Sequence, residues 1–238
     1  MIDLDVVVLT GAGISAESGV PTFRDAQTGL WARYDPQELA TPEAFARDPK
    51  LVWQWYGWRR RLTAAAQPNS AHFGLAALER EVRAFTLLTQ NVDDLHYRAG
   101  SVSVLELHGN IHRTRCSIEG VVVEGHDEDD APPQCPACGG WLRPDVVWFG
   151  EMLDAWILGE AERRASECDV FISVGTSAQV YPAAALPQTA KRAGAALIEI
   201  NIDDTALSSH ADYVLREPAT SGVAQLEGLL NTLGRRSG

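Results

Sequence analysis

The sequence predicts an α/β fold: a parallel sheet with helices on both faces, interrupted by a small inserted module. Three observations predict it. Short apolar runs alternate with helical patterns along most of the chain. Several runs are continuous in Val, Ile and Leu, as strands covered on both faces are. The first run, Val6-Val7-Val8-Leu9-Thr10, passes directly into a glycine-rich turn. Alternation of this kind implies parallel strands joined by helical crossovers.

In chain order, strands are expected over residues 6–10, 84–90, 102–107, 169–175, 195–201 and 212–215, and helices over 49–66, 71–83, 93–99, 153–164, 182–192 and 223–233. A strand that ends in glycines and opens a helix leaves backbone N–H groups where a phosphate can sit, and the helix dipole favours the negative charge. Gly11, Gly13 and Ala16 fit the relaxed dinucleotide fingerprint, in which the third small residue lets helix pack on strand, and a glycine-rich structural turn is the plainer alternative. An ordinary dinucleotide-binding unit has its second strand, ending in an acidic residue, about 20 residues later. Residues 29–36 read GLWARYDP and are no strand, which disfavours a hydride-transferring dehydrogenase.

Two segments break the alternation. Residues 29–67 are helical and aromatic-rich, and residues 112–144 hold three of the four cysteines. Cys135 and Cys138 form C-x-x-C, which in a chain without a secretory pattern favours metal over a disulfide. Cys168 is expected to be a small buried apolar residue. The expected organisation is a single unit over 1–238. Its large domain comprises 1–30, 68–111 and 145–238, and its small domain combines a helical insert, 31–67, with a zinc-ribbon-like insert, 112–144.

With 238 residues and 45% hydrophobic content, the chain can bury one large core plus a small module. Its net charge is −12 and Arg59-Arg60-Arg61 is the only notable basic run, so nucleic acid is not an expected partner, whereas basic peptides are tolerated. No stretch reaches the 18 or more apolar residues of a membrane span, and no signal-peptide pattern precedes the first strand. A soluble, cytoplasmic monomer without membrane partners is expected.

In open parallel sheets, ligands bind beyond the carboxyl ends of the strands. Five such ends carry small or polar groups: Thr10-Gly11-Ala12-Gly13, Thr89-Gln90-Asn91-Val92-Asp93-Asp94, Glu106-Leu107-His108-Gly109-Asn110, Val174-Gly175-Thr176-Ser177 and Ile200-Asn201-Ile202-Asp203. They imply one converging polar pocket. His108 ends a strand facing that pocket, and an ordinary pKa near 6.5 suits it to general-base work. Asn91 and Asp93 are suited to ribose, water or carboxamide contacts, although Asn91 can instead cap the following helix. His72 and His96 read as packing or surface residues. Tyr56 and Arg59, three apart on a helix, share a face, where a guanidinium and a phenol together can clamp a carboxylate. A packed tyrosine beside a solvated arginine run is the plainer alternative.

The strings GAGISAESGVPTFRD, TQNVDDLH, LHGN, VVWFGE, GTSAQVYPAA and EIN occur in order and resemble the sirtuins, NAD-dependent protein lysine deacylases, over residues 5–203. The resemblance implies a Rossmann-like large domain and a small zinc domain, with NAD and an acylated lysine entering the cleft between them. It implies that His108 is the catalytic base, activating a ribose hydroxyl after the acyl oxygen displaces nicotinamide, and that Asn91 assists. Gly11, Ala12, Gly13, Ser15, Ala16, Gln90, Asn91 and Asp93 would line one side of NAD, with Phe23 and Arg24 in a loop over the nicotinamide site. Gly175, Thr176, Ser177, Asn201, Asp203 and Ala219 would line the adenosine side. The peptide would lie extended between residues 147–151 and 178–181, on Val147, Phe149 and Gly150, reading little sequence.

The Y-x-x-R pair resembles the class III branch, which removes succinyl and malonyl groups, with deacetylation possible in the same pocket. The family ribbon supplies two C-x-x-C pairs, but here the first reads Cys116-Ser117-Ile118-Glu119. Cys116, Cys135 and Cys138 are the expected structural zinc ligands, with Glu119, His126 or water as the fourth, or the module folds without metal. Protein mono-ADP-ribosyl transfer and a non-catalytic NAD-sensing module are the competing functional readings.

Overall fold

The computed structural model describes residues 1–22, 34–125 and 131–234. Strand β1 (Ile2–Thr10) runs into a single helical turn, α1 (Gly13–Ala16). Helices α2 (Pro36–Leu39), α3 (Pro42–Arg47), α4 (Pro49–Ala65) and α5 (Ser70–Leu78) precede β2 (Val82–Thr89), α6 (Leu95–Arg98) and β3 (Val104–Glu106). An antiparallel pair, β4 (Gly109–Cys116) and β5 (Leu142–Val146), comes next. The chain continues through α7 (Ala155–Glu167), β6 (Val170–Val174), a 3-10 turn (Ala183–Ala185), α8 (Leu186–Ala193), β7 (Ala196–Ile200), β8 (Tyr213–Leu215), α9 (Ala219–Val223) and α10 (Leu226–Gly234).

The main sheet has the order β3-β2-β1-β6-β7-β8, with every pairing parallel. Taken in chain order its strands follow the doubly wound 3-2-1-4-5-6 arrangement. Successive strand residues point to opposite faces. Val6, Val8, Ile172 and Ile198 face a core built with α5, α9 and α10, while Val7, Leu9, Phe171 and Leu197 face one built with α7 and α8. The fold class read from the sequence is the one observed. Among the described residues, no helix is long and apolar enough to cross a membrane.

The second strand is the run expected over 84–90, and the described residues 34–36 form no strand. That strand is β2, displaced along the chain because α2, α3 and α4 are inserted before it. The expected helix over 71–83 stops at Leu78, because Val82 already pairs with Ile2 and Ala84 with Asp5. Sheet pairing overrides helical pattern there. The helix expected over 223–233 is α10 preceded by a separate turn, α9.

The inserted helices have orthodox starts. Thr41 and Asp48 accept the Ala44 and Leu51 N–H groups, each followed by a proline at the first helical position. Residues 52, 53, 55, 56, 59, 60 and 63 of α4 are buried, and Val52, Trp55 and Tyr56 join Phe45, Ile111, Val146 and Trp148 in a third core against the base of β4 and β5. Farther along the hairpin, the fourth apolar cluster holds only Cys116, Cys135 and Leu142, with Val123 beside them.

A close backbone approach joins the ends of β1 and β6. A Cβ on Gly13 would stand 2.7 Å from the Gly175 carbonyl oxygen, and one on Gly175 would stand 2.5 Å from the Ile14 nitrogen, with Gly175 at φ +60°. Gly175→Ala is therefore expected to cost more than about 1 kcal/mol. Gly159→Ala, in open space on α7, is expected to be neutral or stabilising by up to about 1 kcal/mol. Urea denaturation of the two variants checks the contrast.

Candidate active site at the strand ends

Pairing register places the carboxyl ends in one row. Glu106 is opposite Thr89, Thr89 opposite Thr10, Thr10 opposite Val174, and Val174 opposite Ile200. Each loop expected to carry function therefore leaves the sheet from the same edge.

The glycine turn does not present its amides as the fingerprint suggests. Gly11 donates to the Val174 carbonyl at 3.0 Å and Gly13 to the Gly175 carbonyl at 2.8 Å. Ala16 is exposed at the end of α1 rather than wedged between helix and strand, because α1 is only four residues long. Close packing comes instead from the glycines themselves. Ala12 is half-buried between them.

Ser15 is the node of the site. Its hydroxyl donates to Asp93 Oδ2 at 2.6 Å and accepts from Asn91 Nδ2 at 3.1 Å. His72 Nδ1 accepts the Asn69 N–H, so its Nε2 carries the proton that points to Ser15 Oγ at 3.4 Å. Asp93 Oδ1 also accepts the Leu95 N–H, so Asp93, not Asn91, caps the following turn. Burial pushes the Asp93 carboxyl up, while the Ser15 and Leu95 hydrogen bonds oppose the shift. His72 and His96 are packing residues, buried to 0% and 2% exposure, and burial lowers their pKa values to about 4 and about 3.

Gln90 crosses the row, its Nε2 donating to Thr176 Oγ1 at 2.9 Å. Asn201 Nδ2 donates to the Thr176 carbonyl at 2.9 Å, so Gly175, Thr176, Ser177 and Asn201 form one wall. Asp203 is exposed just beyond it, whereas Ala219 is buried at the start of α9 in the core. Phe23 and Arg24 lie outside the described residues.

His108 stands at the opposite wall. Its Nδ1 lies 3.0 Å from the Gln90 carbonyl oxygen. A carbonyl only accepts, so Nδ1 carries the proton and Nε2 keeps a lone pair. Burial lowers the His108 pKa, with the Gln90 carbonyl opposing. Gly109 follows at φ +78°, with a would-be Cβ 2.1 Å from the Asp145 carbonyl oxygen. The histidine can sit there only because its neighbour has no side chain. His108 in turn accepts the Val147 N–H at 2.9 Å through its main-chain carbonyl. Phe149 and Gly150 are exposed, as are Val180 and Tyr181.

Tyr56 and Arg59 lie on the buried stripe of α4, at 3% and 8% exposure. Of the arginine run, Arg60 is buried as well and only Arg61 is exposed. The solvated-run alternative thus fails for Arg59. Its guanidinium is 5.1 Å from the Trp55 ring centre. Burial disfavours its charge, and Tyr56 and Asp93 favour it, so it lies within the field of the strand-end site. Tyr56 is pushed up to about 12 by burial and stays protonated.

These strand-end loops match a known pattern. The Sir2 family model matches residues 11–182. The chain belongs to the Sir2 family. The NAD-dependent protein deacylase of Aquifex aeolicus is 52% identical over 234 residues, covering 95% of each chain. The crystal structure of a Sir2 homolog–NAD complex superposes with a TM-score of 0.86 at 48% identity, covering 99% of this chain and 90% of that one. A Sir2 structure with a deacetylated p53 peptide and 3′-O-acetyl-ADP-ribose superposes at 0.83 and 32% identity, covering 94% and 93%.

The hairpin tip fits a metal in three of four positions. The Cys116, Cys135 and Cys138 sulfurs all lie within 4.8 Å of one another, and those of Cys116 and Cys138 are 3.4 Å apart. Tetrahedral Zn–S bonds of about 2.3 Å hold sulfurs roughly 3.8 Å apart. The main-chain N–H groups of Glu119 and Ile118 both point to Cys116 Sγ at 3.4 Å and lower its pKa. Among the described residues, no carboxylate or imidazole joins the three thiols. Glu119 thus contributes its amide, not its carboxylate, and His126 lies outside the described residues. With so small an apolar cluster at the tip, zinc would act as its core.

Two measurements test this geometry. NMR titration of His108 is expected to give a pKa below 6.5 with the proton on Nδ1 in the neutral form; a midpoint at or above 6.5 would contradict the burial. Zinc-loaded Glu119→Cys, which adds a thiol to the first turn, is expected to lose metal to a chelator more slowly than the parent.

Proposed function

We propose that the chain is an NAD-dependent protein lysine deacylase that removes succinyl, malonyl and acetyl groups, yielding nicotinamide, O-acyl-ADP-ribose and free lysine. The observation that carries the reading is His108. It is held at the row of strand ends by the Gln90 carbonyl with Nε2 left as a base, in a member of the Sir2 family. NAD would supply the ADP-ribosyl group that receives the acyl chain.

The chain's own residues divide the work. His108 Nε2 takes the proton of a ribose hydroxyl. Asn91 and Asp93, oriented through Ser15, hold ribose, water or carboxamide. Gly11, Ala12, Gly13, Gln90 and the wall of Gly175, Thr176, Ser177 and Asn201 surround the nucleotide, with Asp203 at its outer end. An extended peptide pairs with the segment of Val147, Phe149 and Gly150. Cys116, Cys135 and Cys138 hold a structural zinc. The large and small domains divide as the inserts do, and the enzyme acts in the cytoplasm as a monomer.

For the acyl group, support comes from α4. A buried phenol and a buried guanidinium on one helical face form a fork for a carboxylate. An acetyl group has no charge to occupy it.

Incubation with NAD and a succinyl-lysine peptide is expected to release nicotinamide, and His108→Ala to lower the rate by roughly 10²- to 10⁴-fold. Because the His108 pKa is depressed, the acid limb of kcat/KM should fall below pH 6.5. Arg59→Met is expected to damage desuccinylation far more than deacetylation; equal loss would reject the carboxylate fork.

A further inference from the structure

We propose that Trp148 is a positioning residue for acyl selectivity: its indole N–H holds the Tyr56 phenol so that the phenol O–H is presented to the acyl carboxylate. Trp148 Nε1 donates to Tyr56 Oη at 2.9 Å, with both residues 3% exposed. An indole nitrogen only donates. The phenol oxygen is therefore the acceptor in this pair, and its own proton is left to point elsewhere. A pKa of about 12 keeps that proton in place at any working pH. Tyr56 is thus set as a donor, and a carboxylate is an acceptor with no proton of its own.

The indole is held from several sides. Glu151 accepts the Trp148 main-chain N–H at 2.8 Å and binds Arg143 through Nη1 and Nη2. The Arg143 guanidinium lies 3.2 Å from the Trp148 ring centre, and its Nη2 also donates to the Val146 carbonyl at 2.8 Å. Phe45 packs on the same indole at 5.3 Å between ring centres. Tyr56 is steadied on its other side by the edge of Trp55 at 4.7 Å. Two side chains packed this tightly have little rotamer freedom left to lose when a ligand arrives. Trp148 lies between Val147 and Phe149 in sequence, so the segment proposed to pair with peptide also fixes the donor proposed for the acyl end.

The proposal rests on the acyl-carboxylate reading, and the experiment separates the two. Trp148→Phe keeps a ring and deletes the N–H; a site-specific benzothienylalanine at 148 replaces Nε1 with sulfur at nearly constant shape, should the phenylalanine variant misfold. Steady-state kinetics with matched succinyl- and acetyl-lysine peptides are expected to show KM for the succinyl peptide raised about five- to tenfold at little-changed kcat. The effect on the acetyl peptide should be much smaller. Tyr56→Phe should produce the same selective loss, and combining it with the change at 148 should add little. Equal loss on both peptides, no loss on either, or full additivity overturns the role of Trp148. If Arg59→Met remains selective in that case, the acyl-carboxylate reading stands alone; if Arg59→Met harms both substrates equally, that reading falls first.

Discussion

The ends of β1 and β6 meet with no side chain between them, and the site is built outward from that contact. Gly11, Gly13 and Gly175 bring two backbones to hydrogen-bonding distance, at 3.0 Å for the Gly11 amide and 2.8 Å for the Gly13 amide. A side chain on Gly13 or Gly175 would force the strands apart. The approach fixes the first turn of α1, and the first turn fixes Ser15. From there a single hydroxyl, donating once and accepting twice, gathers Asp93, Asn91 and His72 from β2's loop and α5. A hydroxyl offers one donor and two acceptor positions, so Ser15 is fully used.

Burial then divides the titratable groups by task. His72 and His96 are neutral braces inside the protein, while His108 ties Nδ1 to the Gln90 carbonyl and leaves a lone pair on Nε2. Tyr56 is held as a donor by burial. The inserted helices and the β4–β5 hairpin share this logic. Their core lies between α4 and the base of β4 and β5, so the helix carrying Tyr56 and Arg59 is anchored to the strand that leaves His108. The Arg60 Nε bond to the Ile111 carbonyl at 2.8 Å makes that anchor explicit.

Much of this was legible in the sequence because it is local. Continuous apolar runs marked β1, β6 and β7, and the polar residues at their ends marked the site edge. Two things were not legible. That the amides of Gly11 and Gly13 bond to β6 depends on a contact across more than 160 residues of chain. That Arg59 and Arg60 are buried while Arg61 is exposed depends on which face of α4 meets β4 and β5. The spacing of Tyr56 and Arg59 suggested a shared face, but Trp148, 92 residues from Tyr56, gave no local signal.

Mass spectrometry of a single-turnover reaction with NAD and a succinyl-lysine peptide tests most directly whether this strand-end site transfers an acyl group from lysine to ADP-ribose. Succinyl-ADP-ribose, free-lysine peptide and nicotinamide are expected in equal amounts. ADP-ribose covalently retained on the peptide or the protein, with the succinyl group still on lysine, would contradict that transfer.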